Sequence, residues 1–423
     1  MKVCFIALPD DYNFEPMRNQ PLVALYILTI LEERYKEKVE LSICDLRIND
    51  LNNIPESDLY LYSIYTPDFY NAVNTVKFLK DKHPNSKHVA GGVHVMAFPD
   101  DCEKVFDSII VGEGEYTIIE LLEDYPNIKK RYIQKKIADI NKFPFPLRKF
   151  LPKESVLTEG ILFFDTNQLK GTNVMFSRGC PYNCYFCASR QISLGPPRYR
   201  SPKNIYDEIM YLKNNYNVEA LALKDENCIP NNRKIAIDFL KPIKDSNIPW
   251  RGQTRADNKN YDLLKIAEKS KCHSLGLGIE SVSKTVLKII NKKLDLDLAK
   301  NFIKQINKTN IKLREHFMIG LPNEPDDIVK QTKKFIIETK PDSVLLSLFC
   351  PLPASYIFDN PEKFNIVIES YDWNRYLTTF GRFKNEKPII NYRYKKGLGK
   401  TKETIINEYL ELQQWLKDGG YNA

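Results

Sequence analysis

The stretch that decides the reading is Asn173-Val-Met-Phe-Ser-Arg-Gly-Cys180-Pro-Tyr-Asn-Cys184-Tyr-Phe-Cys187. A β-like run feeds straight into three cysteines, separated by three residues and then by two, before helix-like sequence resumes. A tight loop with this spacing turns three thiolates toward one iron–sulfur cube and leaves its fourth iron open. An open iron is what a substrate-activating cluster needs. The alternatives are idle thiols or a zinc site, which normally takes four protein ligands in tetrahedral geometry; no fourth ligand is evident near the motif. The cysteines at 4, 44, 102, 228, 272 and 350 stand singly in or beside apolar runs and read as core residues.

Working outward, the run before Cys180 is the first of six. ALALKDEN (220–227), PWRGQTRAD (249–257), SLGLGIES (274–281), LREHFMIGLP (313–322) and DSVLLSLFCPLP (342–353) follow it, each succeeded by sequence of helical periodicity. Six such units predict a partial (βα)6 TIM barrel over 173–360, with chemistry at the carboxyl ends of its strands. Upstream, residues 1–125 alternate KVCFIAL, a helix from Pro21, VELSICDL, a helix over 69–82, HVAGG and SIIVGEG. That rhythm predicts a Rossmann-like parallel sheet whose strand ends can hold a flat ligand. Prolines 144, 146 and 152 mark 126–172 as a linker, and 361–423 reads as a small α-rich capping tail with a final helix over 402–417. The fold class is α/β throughout.

At 423 residues and 43% hydrophobic content the chain can bury a large core. The apolar stretch from Pro21 to Leu31 is too short to span a bilayer and runs into Glu32, Glu33 and Arg34. No export signal is visible, and three cysteines packed into eight residues fit a reducing compartment, so a cytoplasmic protein is expected. The net charge of +8 comes from lysines scattered among Asn, Asp and Glu, which reads as a solvated surface more readily than a nucleic-acid groove.

These motifs resemble the radical S-adenosylmethionine (SAM) superfamily, over about 173–355. The resemblance implies that Cys180, Cys184 and Cys187 hold a [4Fe-4S] cluster and that Phe186 lies against the adenine of SAM. It puts Asp225 and Glu226 at the methionine amino group, where carboxylates ending a strand suit an ammonium. Arg255, beside Asp257, would take the methionine carboxylate bidentately. Gly276, Gly278, Glu280 and Ser281 match a glycine-rich strand with a polar residue for the ribose, and Gly320, Leu321 and Pro322 a strand end near the adenine. A surface turn at 225–227 and tight strand packing at the glycines are the plainer readings. Pro353-Ala-Ser355 departs from the family's usual Pro-Gly-Thr, which leaves the local substrate loop open.

Residues 1–125 resemble the cobalamin-binding domain that precedes the barrel in one radical SAM subfamily. PLVALYILTILEE, SICDL, the Ser63–Pro67 turn, GGVHVMAFPDD and Asp107-Ser-Ile-Ile-Val-Gly-Glu113-Gly-Glu115 carry the similarity. Ser63, Gly91, Gly92, His94 and Glu113 are the residues it points to, the glycines letting a corrin ring or its nucleotide tail approach the backbone. The Asp-x-His-x-x-Gly motif that ligates cobalt elsewhere is absent, so His94 reads as a hydrogen-bonding residue rather than a ligand; a domain that packs on the barrel without cofactor is the other possibility.

The resemblance implies reductive cleavage of SAM to methionine and a 5′-deoxyadenosyl radical, and methyl transfer through cobalamin to an unactivated carbon. A cobalamin-assisted rearrangement or cyclisation, or a non-catalytic metal protein binding RNA or a partner, are the rivals. The expected partners are a small-molecule or peptide substrate and a reductant such as flavodoxin or ferredoxin, with neither membrane nor nucleic acid. Gly399-Lys-Thr401 is rejected as a phosphate loop because Tyr394 stands where the first glycine belongs. Arg393, Lys395, Lys396, Lys400 and Lys402 around Tyr392 and Tyr394 read as a solvated, flexible loop before a nucleic-acid contact.

Overall fold

The computed structural model describes residues 1–10, 15–164, 168–193, 195–377 and 388–421. Its first sheet contains β1 (Lys2–Ala7), β2 (Glu40–Asp45), β3 (Leu59–Ser63), β4 (Lys87–Gly91), β5 (Ser108–Val111) and β6 (Arg131–Ile133), in the order β2-β1-β3-β4-β5-β6. All pairings are parallel. Val3 and Phe5 pack with the helices Leu22–Tyr35 and Gly114–Asp124, while Cys4 and Ile6 pack with Phe69–Lys82 on the opposite face. The strand therefore reads as one apolar run, because both faces of a parallel sheet are covered. Strands β2 and β3 flank β1 on opposite sides, and the reversal opens a crevice at the carboxyl ends.

The second sheet is an open half-barrel of six parallel strands: β7 (Gly171–Val174), β10 (Ala220–Leu223), β11 (Trp250–Arg255), β12 (Cys272–Glu280), β13 (Lys312–Ile319) and β14 (Ser343–Leu348). Between β7 and β10, the two-residue strands β8 (Ser177–Arg178) and β9 (Arg198–Tyr199) form an antiparallel hairpin that carries the cysteine loop at its tip. Helices wrap the outside. The helix Pro202–Tyr216 begins where Ser201 Oγ accepts from Asn204 N at 3.2 Å, with Pro202 at its first position, and ends on Asn217 in the left-handed conformation.

The structure adds three things to the sequence reading. Strand β3, LYLYS, which is not among the runs read from the sequence, lies at the centre of the first sheet. Strand β6 falls inside the stretch read as linker. The tail is not solely helical: β15 (Ile366–Ile368) and β16 (Tyr392–Tyr394) form an antiparallel ribbon before the helix Lys402–Asp418. Tyr392 and Tyr394 are buried, and both hydroxyls donate to the Gly320 carbonyl, at 2.7 and 2.8 Å. These rings belong to the core and are not a stacking platform for bases. Lys400 pairs with Glu408, and Arg393 and Lys402 with Glu369.

The segment 126–164 joins the two sheets through a few buried side chains, among them Arg148, Leu151 and Val156. Arg148 is fully buried; its Nη2 donates to the Asn173 carbonyl at 2.7 Å and its Nη1 to Glu208 Oε1 at 3.3 Å. Gln20 stitches the start of the first unit to β7, accepting from Thr172 Oγ1 at 2.7 Å and Asn173 N at 2.8 Å. Among the described residues no helix is long and apolar enough to cross a membrane. Arg148→Met leaves Glu208 with Arg200 alone, 3.6 Å away, in a site that burial already makes unfavourable for a carboxylate. The variant is expected to lose about 3 kcal/mol in urea unfolding; a loss below about 1 kcal/mol would show that the pair does not hold the joint.

Candidate active site at the junction of the two sheets

Cys180, Cys184 and Cys187 occupy one loop and are all half-buried. The loop is pinned from three sides: Tyr185 N donates to the Ile290 carbonyl at 2.9 Å, Asn291 Nδ2 to the Asn183 carbonyl at 2.6 Å, and Ile357 N to the Tyr185 carbonyl at 2.9 Å. Burial pushes the Cys180 and Cys184 thiols up, and neighbouring Cys187 adds to this in both; Lys292 and Arg255 oppose it at Cys184. The three sulfurs thus share one electrostatic environment with cations beside it. Among the described residues no three His, Cys, Asp or Glu side chains gather tightly enough to hold one metal ion. A cube asks for a different arrangement, with each thiolate on its own iron.

The ends of β10, β11 and β12 meet this loop. Asp225 is buried; its Oδ1 accepts from Phe176 N at 3.0 Å and Ser177 Oγ at 2.5 Å, which fixes the start of the cysteine hairpin. Its Oδ2 and Glu226 Oε2 are buried without a hydrogen-bond partner. Two orphaned carboxylate oxygens beside the loop suit an incoming ammonium. Arg255 lies 3.8 Å from the Tyr182 ring centroid, and its Nε and Nη2 reach Asp257 at 2.9 and 2.7 Å. The Nε–Nη2 edge of its guanidinium is thus engaged, and bidentate capture of a ligand carboxylate along that edge requires the Asp257 pair to open. Glu280 sits at φ 68°, in the left-handed region, and pairs with Lys292 at 3.0 Å. A Cβ on Gly278 would stand 2.4 Å from Glu280 Oε1 and 3.0 Å from Lys292 Nζ, so this glycine leaves room for the pair.

A cavity of about 410 Å³ opens at the switch point of the first sheet and reaches the cysteine hairpin. Ser63, Gly91, Gly92 and Glu113 line it from one side; Arg178, Ser189, Ile192 and Glu226 line it from the other. Gly92 has φ 98°, and a Cβ there would lie 2.6 Å from Ile64 N, so only glycine fits.

The model of the radical SAM superfamily matches residues 174–336. The second unit thus carries a radical SAM domain. An uncharacterized methyltransferase of Pyrococcus horikoshii is 25% identical over 99% of this chain and 94% of its own length. The anaerobic magnesium-protoporphyrin IX monomethyl ester cyclase of Rubrivivax gelatinosus is 25% identical over 84% of this chain and 70% of its own. Among solved structures, the radical S-adenosylmethionine methyltransferase TsrM of Kitasatospora setae, with cobalamin and a [4Fe-4S] cluster bound, superposes with a TM-score of 0.68 at 13% identity. That superposition covers 90% of this chain and 82% of TsrM. It extends the shared fold across both sheets.

The structure gathers Phe186, Arg255, Gly278 and Glu280 around the cysteine loop through Lys292, whose Nζ is 5.9 Å from the Phe186 ring centroid. Ser281 is buried beside them, accepting from Ser283 N at 3.2 Å. Gly320 and Pro322 are held elsewhere. Both are buried under the tail, where Gly320 N donates to Glu324 at 2.9 Å and its carbonyl takes the two tyrosine hydroxyls. His94 does not line the cavity. It is buried against Phe69, Phe98 and Trp373, with Nδ1 3.4 Å from Thr66 Oγ1, and burial lowers it to about 4. Ala354, where the family has glycine, is held at φ 63°. Arg178 and Tyr182 stand inside the cysteine stretch but were given no role there, and Lys292 and Arg198 belong to no motif the sequence offered, since a cation far along the chain leaves no spacing signal.

Burial raises the Asp225 carboxyl to about 7, with the Ser177 hydroxyl opposing the rise. A carboxyl raised on folding stabilises the fold fully only below its unfolded pKa of about 4, and that contribution is lost as pH climbs through the folded value. Urea unfolding of the apoprotein is therefore expected to show stability declining between about pH 4 and 7, and Asp225→Asn to flatten that decline. An identical slope in the variant would mean that Asp225 is already ionised in the fold.

Proposed function

We propose that this chain is a cobalamin-dependent radical SAM methyltransferase acting on an unactivated carbon, with Cys180, Cys184 and Cys187 holding a [4Fe-4S] cluster. The observation that carries the reading is the placement of the switch-point cavity directly against the cysteine hairpin, so that one wall serves both. When bound, the reduced cluster supplies the electron that cleaves the sulfonium of SAM, and cobalamin supplies a methyl carrier. The protein's part is binding and orientation. Glu226, and Asp225 where ionised, would attract the methionine ammonium, Phe186 would offer its ring to the adenine, and the Glu280–Lys292 pair would offer polar groups to a ribose hydroxyl. The apolar lining contributed by Phe5, Leu61, Val89 and Ile110 keeps water from the cavity floor.

TsrM and the methyltransferase of Pyrococcus horikoshii support methyl transfer. The cyclase relative, equally identical, favours a second reading in which a radical rearrangement or cyclisation consumes no methyl group. The reductant is proposed to be flavodoxin or ferredoxin, the substrate a small molecule or peptide, and the location the cytoplasm.

Anaerobic purification is expected to yield brown protein with about four irons per chain that forms 5′-deoxyadenosine from SAM. Cys184→Ala should lose both the colour and that product; a variant that keeps them would remove the cluster assignment. With methyl-labelled SAM, label in the product marks a methyltransferase, and unlabelled product the cyclisation.

A further inference from the structure

The turn Gly112–Glu115 after β5 has two jobs in this fold. All four of its residues line the cavity. The same turn grips both strands of the cysteine hairpin: Glu113 accepts from Arg198 Nη1 at 2.8 Å and lies 3.7 Å from Arg178, and Glu115 pairs with Arg178. Arg178 stands two residues before Cys180 on β8, and Arg198 on β9 closes the loop that follows Cys187. The grip is largely shielded from water, the four side chains being 6–16% exposed. Two further supports fix it. Arg198 Nη1 also donates to the Ala138 carbonyl at 2.7 Å, and Arg178 lies 5.2 Å from the ring centroid of Tyr26, another cavity residue.

The cavity wall continues into the loop itself. Ser189, Ile192 and Ser193 line the cavity, and Ser189 N donates to Cys187 Sγ at 3.4 Å. A ligand filling the cavity would press on the turn and on the cysteine loop together. Iron on the three thiolates would order the same loop from its other side. When two ligands each order a common element, each strengthens the binding of the other, and the linkage is reciprocal.

We propose that the Gly112–Glu115 turn and the cysteine loop form one shared wall, so that a corrinoid in the cavity and iron on Cys180, Cys184 and Cys187 retain each other, with Arg178 and Arg198 as positioning residues. The proposal rests on the reading of the cavity as a corrinoid site. Arg198 acts through the hairpin and not on the reacting atoms.

The test follows iron loss to a ferrous chelator from anaerobically reconstituted full-length protein, with and without saturating hydroxocobalamin. In the wild type the corrinoid is expected to slow iron loss at least about fivefold, within the usual range of coupling between sites. In Arg198→Met, checked for unchanged circular dichroism and thermal midpoint, the factor should fall toward one, and Arg198→Lys should restore part of it. Glu113→Gln serves the same purpose if Arg198→Met does not fold. Equal protection in wild type and variant, or no protection in a wild type that binds hydroxocobalamin by equilibrium dialysis, overturns the coupling and leaves the cofactor reading standing. A wild type that binds no hydroxocobalamin overturns both. Failure of both variants to fold assigns the ion pairs to the fold alone and likewise removes the proposal.

Discussion

Two carboxylates on one turn of the first sheet hold two guanidinium groups on the separate hairpin that carries the cysteines, and the site depends on that grip. The hairpin is short, two residues to a strand, and has little area of its own to bury. Its position comes from what surrounds it: Glu113 and Glu115 on one side, Asp225 beneath, and the backbone bonds from Ile290 and Ile357 at its tip. Ion pairs this sheltered add little net stability, because desolvation of the charges offsets most of their attraction. They select one geometry among several of similar energy. A loop that must present three thiolates to one object needs that selection more than it needs stability.

The same logic explains the polar joint at Arg148. The segment between the sheets carries a guanidinium into the core to meet Glu208, which Arg200 also approaches, and the Asn173 carbonyl of β7. An apolar contact would have been stable but less particular about register. Gln20 repeats the device nearby with neutral groups, spanning both units through its amide. The tail completes the frame from the other end, with Tyr392 and Tyr394 on Gly320, and Trp373 and Tyr376 packed into the core of the first sheet. The two sheets are thus tied at the linker, at the hairpin and at the tail.

Among the residues with left-handed backbone, Glu280 and Ala354 lie at strand ends of the half-barrel. Glu280 adopts a left-handed backbone at an irregularity in β12, which brings its carboxylate back over Gly278 to reach Lys292. Ala354 takes a similar conformation after β14 without a glycine's freedom. Its neighbour Ser355 caps the short helix that follows, accepting from Phe358 N at 3.2 Å, and so helps to hold it there.

What the sequence alone determined is what depends on local order along the chain. The cysteine spacing, the six strand ends, the two helices of the first unit and the final helix are short-range patterns, and the backbone follows them closely. Gly92 and Gly278 were legible for the same reason, as glycine marks a place where no side chain fits. Tertiary structure decided the partners. That Glu113 would face Arg198, that Arg255 would close on Asp257, that Lys292 would join the loop, and that Tyr392 and Tyr394 would be buried are contacts between residues far apart in sequence or on turns without periodicity. A side chain's charge is written in the chain, but the group that meets it is set by how the sheets stack. Strands β3 and β6 were not read from the sequence; their pairing with neighbours in the sheet makes them strands.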